Sequence, residues 1–341
     1  MFAEQIFKMK SVFTTFCSLI FLISSVACEA QHQKKSMQAN NQNPLLCNPD
    51  SGTCEIPSPS QSNTSYKPAE QNKSIHILYF TDPICSSCWG IEPQLRKLKL
   101  EYGEEIEIEY RMGGLLPDWS YNSGGISKPA DVAHHWDEVS QYYQMPIDGD
   151  IWLEDPLHSS YPPSIAFKAA QLQDEQKALL FLRRMREMVF LEKKNICKKE
   201  FINQAALEVN LDTTKLNVAS QQIAIELFQN DLRKTAESGV RGFPTLIVSN
   251  QNKQILNING FQSYSNFEKV VLQLNPHLKK KPYDKSWNFL FSQFTSLTLR
   301  EFAELSEQHK QDALAQLMSL TEQKKLHVFE TKNGAIWRLV K

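Results

Sequence analysis

Two cysteines separated by two residues, Cys85 and Cys88, are the side chains in this sequence whose type and spacing most directly suggest chemistry. Thiol–disulfide exchange needs a thiolate nucleophile and a second thiol within reach, and a CxxC pair supplies both. A helix is predicted to begin at the pair, so its free N–H groups should lower the pKa of the Cys85 thiol. Cys85 is then expected to attack a disulfide, and Cys88 to resolve the mixed disulfide that results.

The same cysteines could instead form half of a zinc site, which would need two further ligands. The chain has no second CxxC or CxxH, and His134-His135 is predicted to be a pair on a helix surface. Cys197 has no evident partner thiol. The spacing therefore favours redox use without a metal and without a dissociable cofactor, because electrons move between the sulfurs of a redox-active Cys85–Cys88 disulfide.

A second cysteine pair, Cys47 and Cys54, lies upstream in a segment rich in Gln, Asn, Ser and Pro. Asn-Pro and Ser-Gly lie between the two cysteines and favour a turn that would bring the thiols together. The pattern predicts a local structural disulfide in an oxidising compartment. A metal-binding pair and a regulatory dithiol are the alternatives.

The elements that position Cys85 and Cys88 can be predicted from the surrounding pattern. Ile75–Thr81 is a short apolar run typical of a buried strand, and 106–112 alternates like a second strand. Apolar residues at helical spacing lie between them, so the CxxC pair begins the helix of a βαβ unit. Asp82 is predicted to cap the turn at Pro83, with proton transfer to Cys88 as the alternative.

Helical patterns then fill a long segment, notably at 164–193 and 216–237. The basic and acidic residues at 183–187 are predicted to form a solvated helix face. Strand character returns at 240–248 and 254–259, and a closing helix is predicted at 263–274.

Together these motifs resemble the thioredoxin superfamily. The residues that carry the resemblance are 82–90 (DPICSSCWG), Pro93 and 242–245 (GFPT). In that family a cis proline faces the CxxC pair, and Pro244 matches it. The resemblance implies that Phe243 pairs through its backbone with a substrate chain beside Pro244 and Thr245. Trp89 and Phe243 are predicted to form an apolar rim for unfolded substrates, with partial burial in the core as the alternative.

The helical segment between the two motifs resembles the insertion of the DsbA family. The implied α/β fold is a thioredoxin domain at 73–276 with a large all-helical insertion at about 129–239. Within that family the sequence resembles a bacterial, YjbH-like branch that includes the Spx-degradation adaptor of the ClpXP protease. The segments YFTDPICSSCWG, EPQLRKL and YRMGGLLPDW carry that likeness, together with the upstream cysteine pair Cys47 and Cys54.

The N-terminus has the pattern of a targeting segment. Lys8 and Lys10 precede an uncharged run at 11–28, and Ser25-Val26-Ala27 fits a signal-peptidase site. We therefore predict a signal peptide at 1–28, with lipidation of Cys28 or an uncleaved membrane anchor as alternatives. Residues 29–72 are predicted to be a flexible tether.

The last segment, 283–341, is predicted to be a small winged-helix-like module. Helices are expected at 287–294, 299–306 and 311–322, followed by a hairpin that turns at Asn333-Gly334. Its positive charge is modest, and the whole chain, with 37 Lys+Arg against 38 Asp+Glu, has a net charge of −1. This balance argues against nucleic-acid binding, and a mean hydropathy of −0.41 excludes a polytopic membrane protein.

The sequence leads to three hypotheses about function. The main one is a thiol–disulfide oxidoreductase of the cell envelope or periplasm, acting on cysteine-containing protein substrates with a redox partner protein. Its contact with the membrane would be limited to the N-terminal lipid or anchor. The alternatives are a protein-binding module or protease adaptor with a cytoplasmic location, and a glutathione-dependent isomerase or transferase. The presence of Cys88 counts against the last.

Overall fold

The computed structural model describes residues 47–48, 52–55, 73–120 and 128–340. The predicted signal segment with Cys28, and most of the predicted tether, lie outside the described residues. Within the described ranges, no helix combines the length and the apolar character that a membrane span requires.

A four-stranded sheet forms the centre of the thioredoxin domain. Its strand order is β4-β3-β6-β7, with β3 parallel to β4 and antiparallel to β6. Every residue of β3 is buried, which is why this strand reads as a continuous apolar run rather than an alternating one. The strands are β3 Ile75–Thr81, β4 Ile106–Met112, β6 Thr245–Asn250 and β7 Ile255–Asn259.

A second, smaller sheet covers the place where the dithiol lies. Strands β1 and β2 form an antiparallel hairpin, and β2 pairs with β5, the two residues before Pro244. These strands are β1 Cys47–Asn48, β2 Thr53–Glu55 and β5 Gly242–Phe243. The sequence pattern gave no indication that the hairpin pairs with β5.

Helices surround the central sheet. The domain's own helices are α1 Ser86–Gly90, α2 Glu92–Tyr102 and α10 Tyr264–Leu274. The helices of the insertion are α3 Pro129–Tyr143, α4 Ile151–Glu154, α5 Tyr161–Gln171, α6 Glu175–Leu191, α7 Lys199–Glu208, α8 Thr213–Ser220 and α9 Ile223–Glu237. The thioredoxin fold with a helical insertion is therefore confirmed.

The helical run predicted at 164–193 is divided into two helices, α5 and α6. Asp174 causes the break, because its carboxylate accepts hydrogen bonds from the N–H groups of Gln176 and Lys177 and so begins a new helix. The run at 216–237 is likewise divided, between α8 and α9.

The C-terminal segment contains helices, a short strand and a hairpin around a core of its own. That core includes Leu290, Phe302, Leu305 and Leu317. Its elements are α11 Trp287–Gln293, β8 Ser296–Thr298, α12 Leu299–Ser306, α13 Lys310–Glu322, β9 Leu326–Thr331 and β10 Gly334–Leu339. The sheet order is β8-β10-β9. Its classification as a winged helix stays a prediction.

Buried charges join this C-terminal module to the thioredoxin domain. Glu301 on α12 is fully buried and accepts hydrogen bonds from both terminal nitrogens of Arg183 on α6, at 2.7 and 3.0 Å. Its carboxylate also lies 3.3 Å from Nε of Arg96 on α2. On β10, Arg338 donates to the buried Glu187 of α6 at 2.7 Å.

The expectation that residues 183–187 form a solvated face is therefore wrong. Arg186 is fully buried, and Arg183 and Glu187 are nearly so. Glu187 keeps its charge there: burial alone would raise its pKa, but Arg183 and Arg338 outweigh that effect and lower the pKa to about 2. The charges are tolerated because each has a partner.

Candidate functional site

The dithiol lies at the start of α1, directly after the turn that ends β3. Cys85 is the N-cap residue, and its sulfur accepts a hydrogen bond from the N–H of Cys88 at 3.1 Å. This is the arrangement that the CxxC spacing predicts. Both cysteines are free thiols, and both side chains are 0% exposed.

The expected lowering of the Cys85 pKa is wrong for this arrangement. Burial raises the pKa of the Cys85 thiol well above its ordinary value, outweighing the hydrogen bond from the Cys88 N–H. Burial alone would also raise the pKa of Cys88, but the hydrogen bond from Cys85 and the charge of Arg186 lower it. Cys88 therefore gives up its proton more readily than Cys85 does.

The β1–β2 hairpin covers the dithiol. Cys54 on β2 is disulfide-bonded and 0% exposed, and its sulfur lies 3.5 Å from the sulfur of Cys85. It also lies 3.3 Å from the hydroxyl oxygen of Ser87 on α1. Across the hairpin, Cys47 is the residue directly opposite Cys54 in the ladder. The two cysteine pairs that the sequence suggests thus belong to one site.

Backbone contacts hold the hairpin in place. Cys54 is paired with Phe243 and Glu55 with Gly242 in the β2–β5 ladder. At the turn, the carbonyl of Gly52 accepts a hydrogen bond from Phe261 at 2.8 Å. Gly52 has φ +62°, and a Cβ there would lie 2.5 Å from Phe261, so both the backbone and the close contact require glycine.

Pro244 follows a cis peptide bond and separates β5 from β6. Thr245, the first residue of β6, is nearly buried, and its hydroxyl donates to the carbonyl of Gly242 at 2.7 Å. The backbone edge that the resemblance assigns to a substrate chain is occupied here by β2 of the same protein.

The apolar rim predicted at Trp89 and Phe243 is not exposed, because both side chains are 0% accessible. Trp89 stacks on Phe190 and donates its indole N–H to the carbonyl of Pro146 at 3.0 Å. Phe243 lies against Gly113, where a Cβ would fall 1.8 Å from the phenyl ring. Both aromatic residues therefore belong to the core in this structure.

Asp82 caps the turn before the dithiol. One carboxylate oxygen accepts from the N–H of Ile84 at 3.0 Å, and the other from Leu115 N–H and the Ser160 hydroxyl, each at 2.8 Å. The side chain is fully buried, and burial raises its pKa to about 6 despite these hydrogen bonds. Its contacts support the role of a turn cap.

Titration of Asp82 should be visible in stability. Its pKa is about 6 in the folded protein against 3.8 ordinarily, so the folded state holds the proton more tightly. Stability should therefore fall as pH rises from about 4 to about 6, by roughly 3 kcal/mol in total. In Asp82→Asn this contribution is absent, so the difference in unfolding free energy between wild type and variant should change across that window, as urea unfolding would measure.

The control is Asp312→Asn, at an exposed position, which should show no such change. A pH-independent difference in unfolding free energy between wild type and Asp82→Asn would contradict the assignment.

The remaining candidates take no part in the site. His134 is exposed beside Glu138, but His135 is buried, so the prediction of a surface pair is wrong for His135; burial lowers the pKa of His135 to about 4. Cys197 is a free thiol that donates to the carbonyl of Ser159 at 2.7 Å. No cluster of three or more His, Cys, Asp or Glu residues suited to a metal ion occurs in the part of the chain that the structure describes.

Other residues of the site could not be identified from the sequence. Arg300, on α12 of the C-terminal module, donates to the carbonyl of Gly90 at the end of α1, at 3.1 Å. Its guanidinium lies 5.0 Å from the centre of the Phe261 ring, which in turn contacts Tyr143. The Tyr143 hydroxyl is hydrogen-bonded to Ser87 at 2.6 Å. The C-terminal module thus reaches the surroundings of the dithiol.

Comparisons with known proteins agree with this architecture. A thioredoxin family model matches residues 78–269. The chain resembles a proposed protein disulfide isomerase from Nitrosomonas europaea, with a TM-score of 0.52 and 19% identity over 60% of this chain and 100% of that one. At this identity the likeness shows the fold alone.

Sequence relatives extend over more of the chain. A protein of Halalkalibacterium halodurans named ClpXP adapter protein SpxH is 30% identical over 306 residues, covering 88% of this chain and 99% of that protein. The protein of the same name from Bacillus subtilis is 28% identical over 271 residues, covering 78% of this chain and 89% of that protein. With a thioredoxin domain that contains a helical insertion and this match along nearly the whole length of a relative, the chain belongs to the thioredoxin superfamily and, within it, to the SpxH (YjbH-like) family.

Proposed function

We propose that this protein is an adaptor that delivers a client protein to the ClpXP protease. The observation that carries the proposal is the match to a ClpXP adapter protein along 99% of that protein's length. Because the match covers 88% of this chain, it extends into both the thioredoxin domain and the C-terminal module, so the two chains share more than a fold.

This proposal replaces the main hypothesis from the sequence. An oxidoreductase acting on protein substrates, and with it the classification as an enzyme, is overturned by relatives that are named adapters. The geometry agrees with the correction. Both thiols are fully buried, and β2 occupies the backbone edge beside Pro244, so a protein substrate cannot reach the sulfurs without displacement of the hairpin.

The partners of such an adaptor are proteins: the protease and at least one client. Spx, the client of the adaptor that the sequence resembles, is the first to test. An adaptor must share a compartment with its protease, so the proposal includes the cytoplasmic location. Fractionation of cells that express the full chain would distinguish this cytoplasmic location from the envelope location predicted from residues 1–28.

The adaptor role can be tested by reconstitution. Purified full-length protein added to ClpXP and Spx should accelerate Spx degradation in a dose-dependent way, because it increases the local concentration of client at the protease. Under reducing conditions the double variant Cys85→Ser, Cys88→Ser should retain at least half of this acceleration, as should the control Cys197→Ser. No acceleration by the wild-type protein, or its complete loss in a double variant that still folds, would contradict the proposal.

A further inference from the structure

The contact between Cys54 and Cys85 is not accounted for by an adaptor role. A disulfide-bonded sulfur and a free thiol lie 3.5 Å apart, and both side chains are 0% exposed. We propose that the Cys54 disulfide and the Cys85–Cys88 dithiol exchange within one chain, and that this exchange controls whether the β1–β2 hairpin covers the Gly242–Phe243 edge. This inference concerns the chain by itself and stands independently of the adaptor role.

The geometry favours an internal reaction over one with an external thiol. Exchange proceeds by attack of a thiolate on a disulfide sulfur, so the attacking sulfur must reach that atom. The Cys85 sulfur lies 3.5 Å from the Cys54 sulfur, and Cys88 follows one turn later on α1. External thiols have no access to any of these three sulfurs while the hairpin is in place, because all three are fully buried.

The step balances without an added oxidant or reductant. First the Cys85 sulfur gives up its proton and bonds to Cys54, and the disulfide of Cys54 breaks, its electron pair leaving on the partner sulfur, which takes up a proton in exchange. Then the Cys88 sulfur bonds to Cys85, the Cys85–Cys54 bond breaks, and the proton of Cys88 passes to the departing Cys54 sulfur. The Cys85–Cys88 pair is oxidised, and the Cys54 disulfide is reduced.

Transfer of the disulfide should release the hairpin. Its strands are short, β1 with two residues and β2 with three, and a two-stranded hairpin is marginal without further support. Its non-covalent anchors include the ladder to β5, the hydrogen bond between Phe261 and Gly52, and the contact of Cys54 with Ser87. Once the cross-link is gone, we expect these contacts to open more often and to expose the backbone edge of Gly242 and Phe243.

A trapping experiment on the purified full-length chain tests the transfer. In Cys88→Ser the second step cannot occur, so incubation at pH 8 without added thiol should accumulate a Cys54–Cys85 cross-link and free the former partner of Cys54. Acid quenching, alkylation and peptide mapping identify both products. Cys47, the cross-strand neighbour, is the partner that the sequence predicts.

Two controls separate internal exchange from other routes. The cross-linked fraction should be unchanged by a hundredfold dilution, because the reaction is intramolecular, and Cys88→Ser combined with Cys197→Ser should give the same product. If Cys54 keeps its original partner while Cys85 remains alkylatable after unfolding, or if dilution abolishes the cross-link, internal exchange is overturned.

Amide hydrogen exchange tests the second part of the inference. In Cys54→Ser, exchange at Gly242 and Phe243 should be at least tenfold faster than in the wild type, while the central strand β6 keeps its protection and shows that the variant is folded. Unchanged exchange at Gly242 and Phe243 would overturn the proposal that the Cys54 disulfide controls whether the hairpin covers this edge. Neither experiment contains protease or client, so their outcome is separate from that of the adaptor assay.

Discussion

Replacing Glu301 by Gln should destabilise the protein by about 3–5 kcal/mol, the typical cost of removing one partner from a buried ion pair. Glu301 is 0% exposed, and its carboxylate is the common partner of Arg183 and Arg96. Without that negative charge, the two buried guanidinium groups would lose their shared carboxylate and keep only their other acidic neighbours, Glu187 beside Arg183 and Glu92 beside Arg96. Urea unfolding of the full chain at neutral pH would measure the loss.

Glu304 offers a matched control on the same helix. Its carboxylate lies 3.8 Å from Lys97 and is 31% exposed, so Glu304→Gln should cost less than about 1 kcal/mol. Hydrogen exchange would show whether the C-terminal module opens before the thioredoxin domain in Glu301→Gln. A loss no larger than that of Glu304→Gln would contradict the view that this buried cluster holds the module in place.

Replacing Gly113 by Ala should open the site. A Cβ at position 113 would lie 1.8 Å from the Phe243 ring, so the ring must move and β5 with it. Overpacking of this kind costs about 1–3 kcal/mol, which corresponds to a roughly 5- to 150-fold larger open population if the strain is relieved locally. Because β5 holds β2 over the dithiol, alkylation of Cys85 by iodoacetamide should accelerate by a similar factor.

A size-compensating variant makes this prediction specific. Leu in place of Phe243 removes the ring that clashes, so Gly113→Ala combined with Phe243→Leu should recover much of the protection of Cys85. Alkylation of Cys197, which contacts Ser159 instead, should not change in either variant. A folded Gly113→Ala protein whose Cys85 reacts as slowly as in the wild type would show that Phe243 does not control access.

The local elements and the start of the site follow from the pattern of amino acids along the chain. The βαβ pattern placed Cys85 and Cys88 at a helix start, where the structure has them. Asn333-Gly334 predicted the last hairpin, and Gly334 pairs with Thr331 across that turn. These features depend on neighbours within a few residues, and such interactions leave a periodic or turn-specific pattern in the sequence.

The surroundings of the dithiol depend instead on contacts between segments that are distant in the chain. Phe243 pairs with Cys54 across nearly two hundred residues of chain, and no short pattern encodes such a partner. The sequence pattern around Arg183 and Arg186 also does not distinguish arginines that face water from arginines that face buried carboxylates such as Glu301. Burial and pairing of this kind depend on how distant segments pack. For this reason Cys85, which the sequence predicts to be a reactive thiol, is covered in the structure, and exclusion of water raises its pKa.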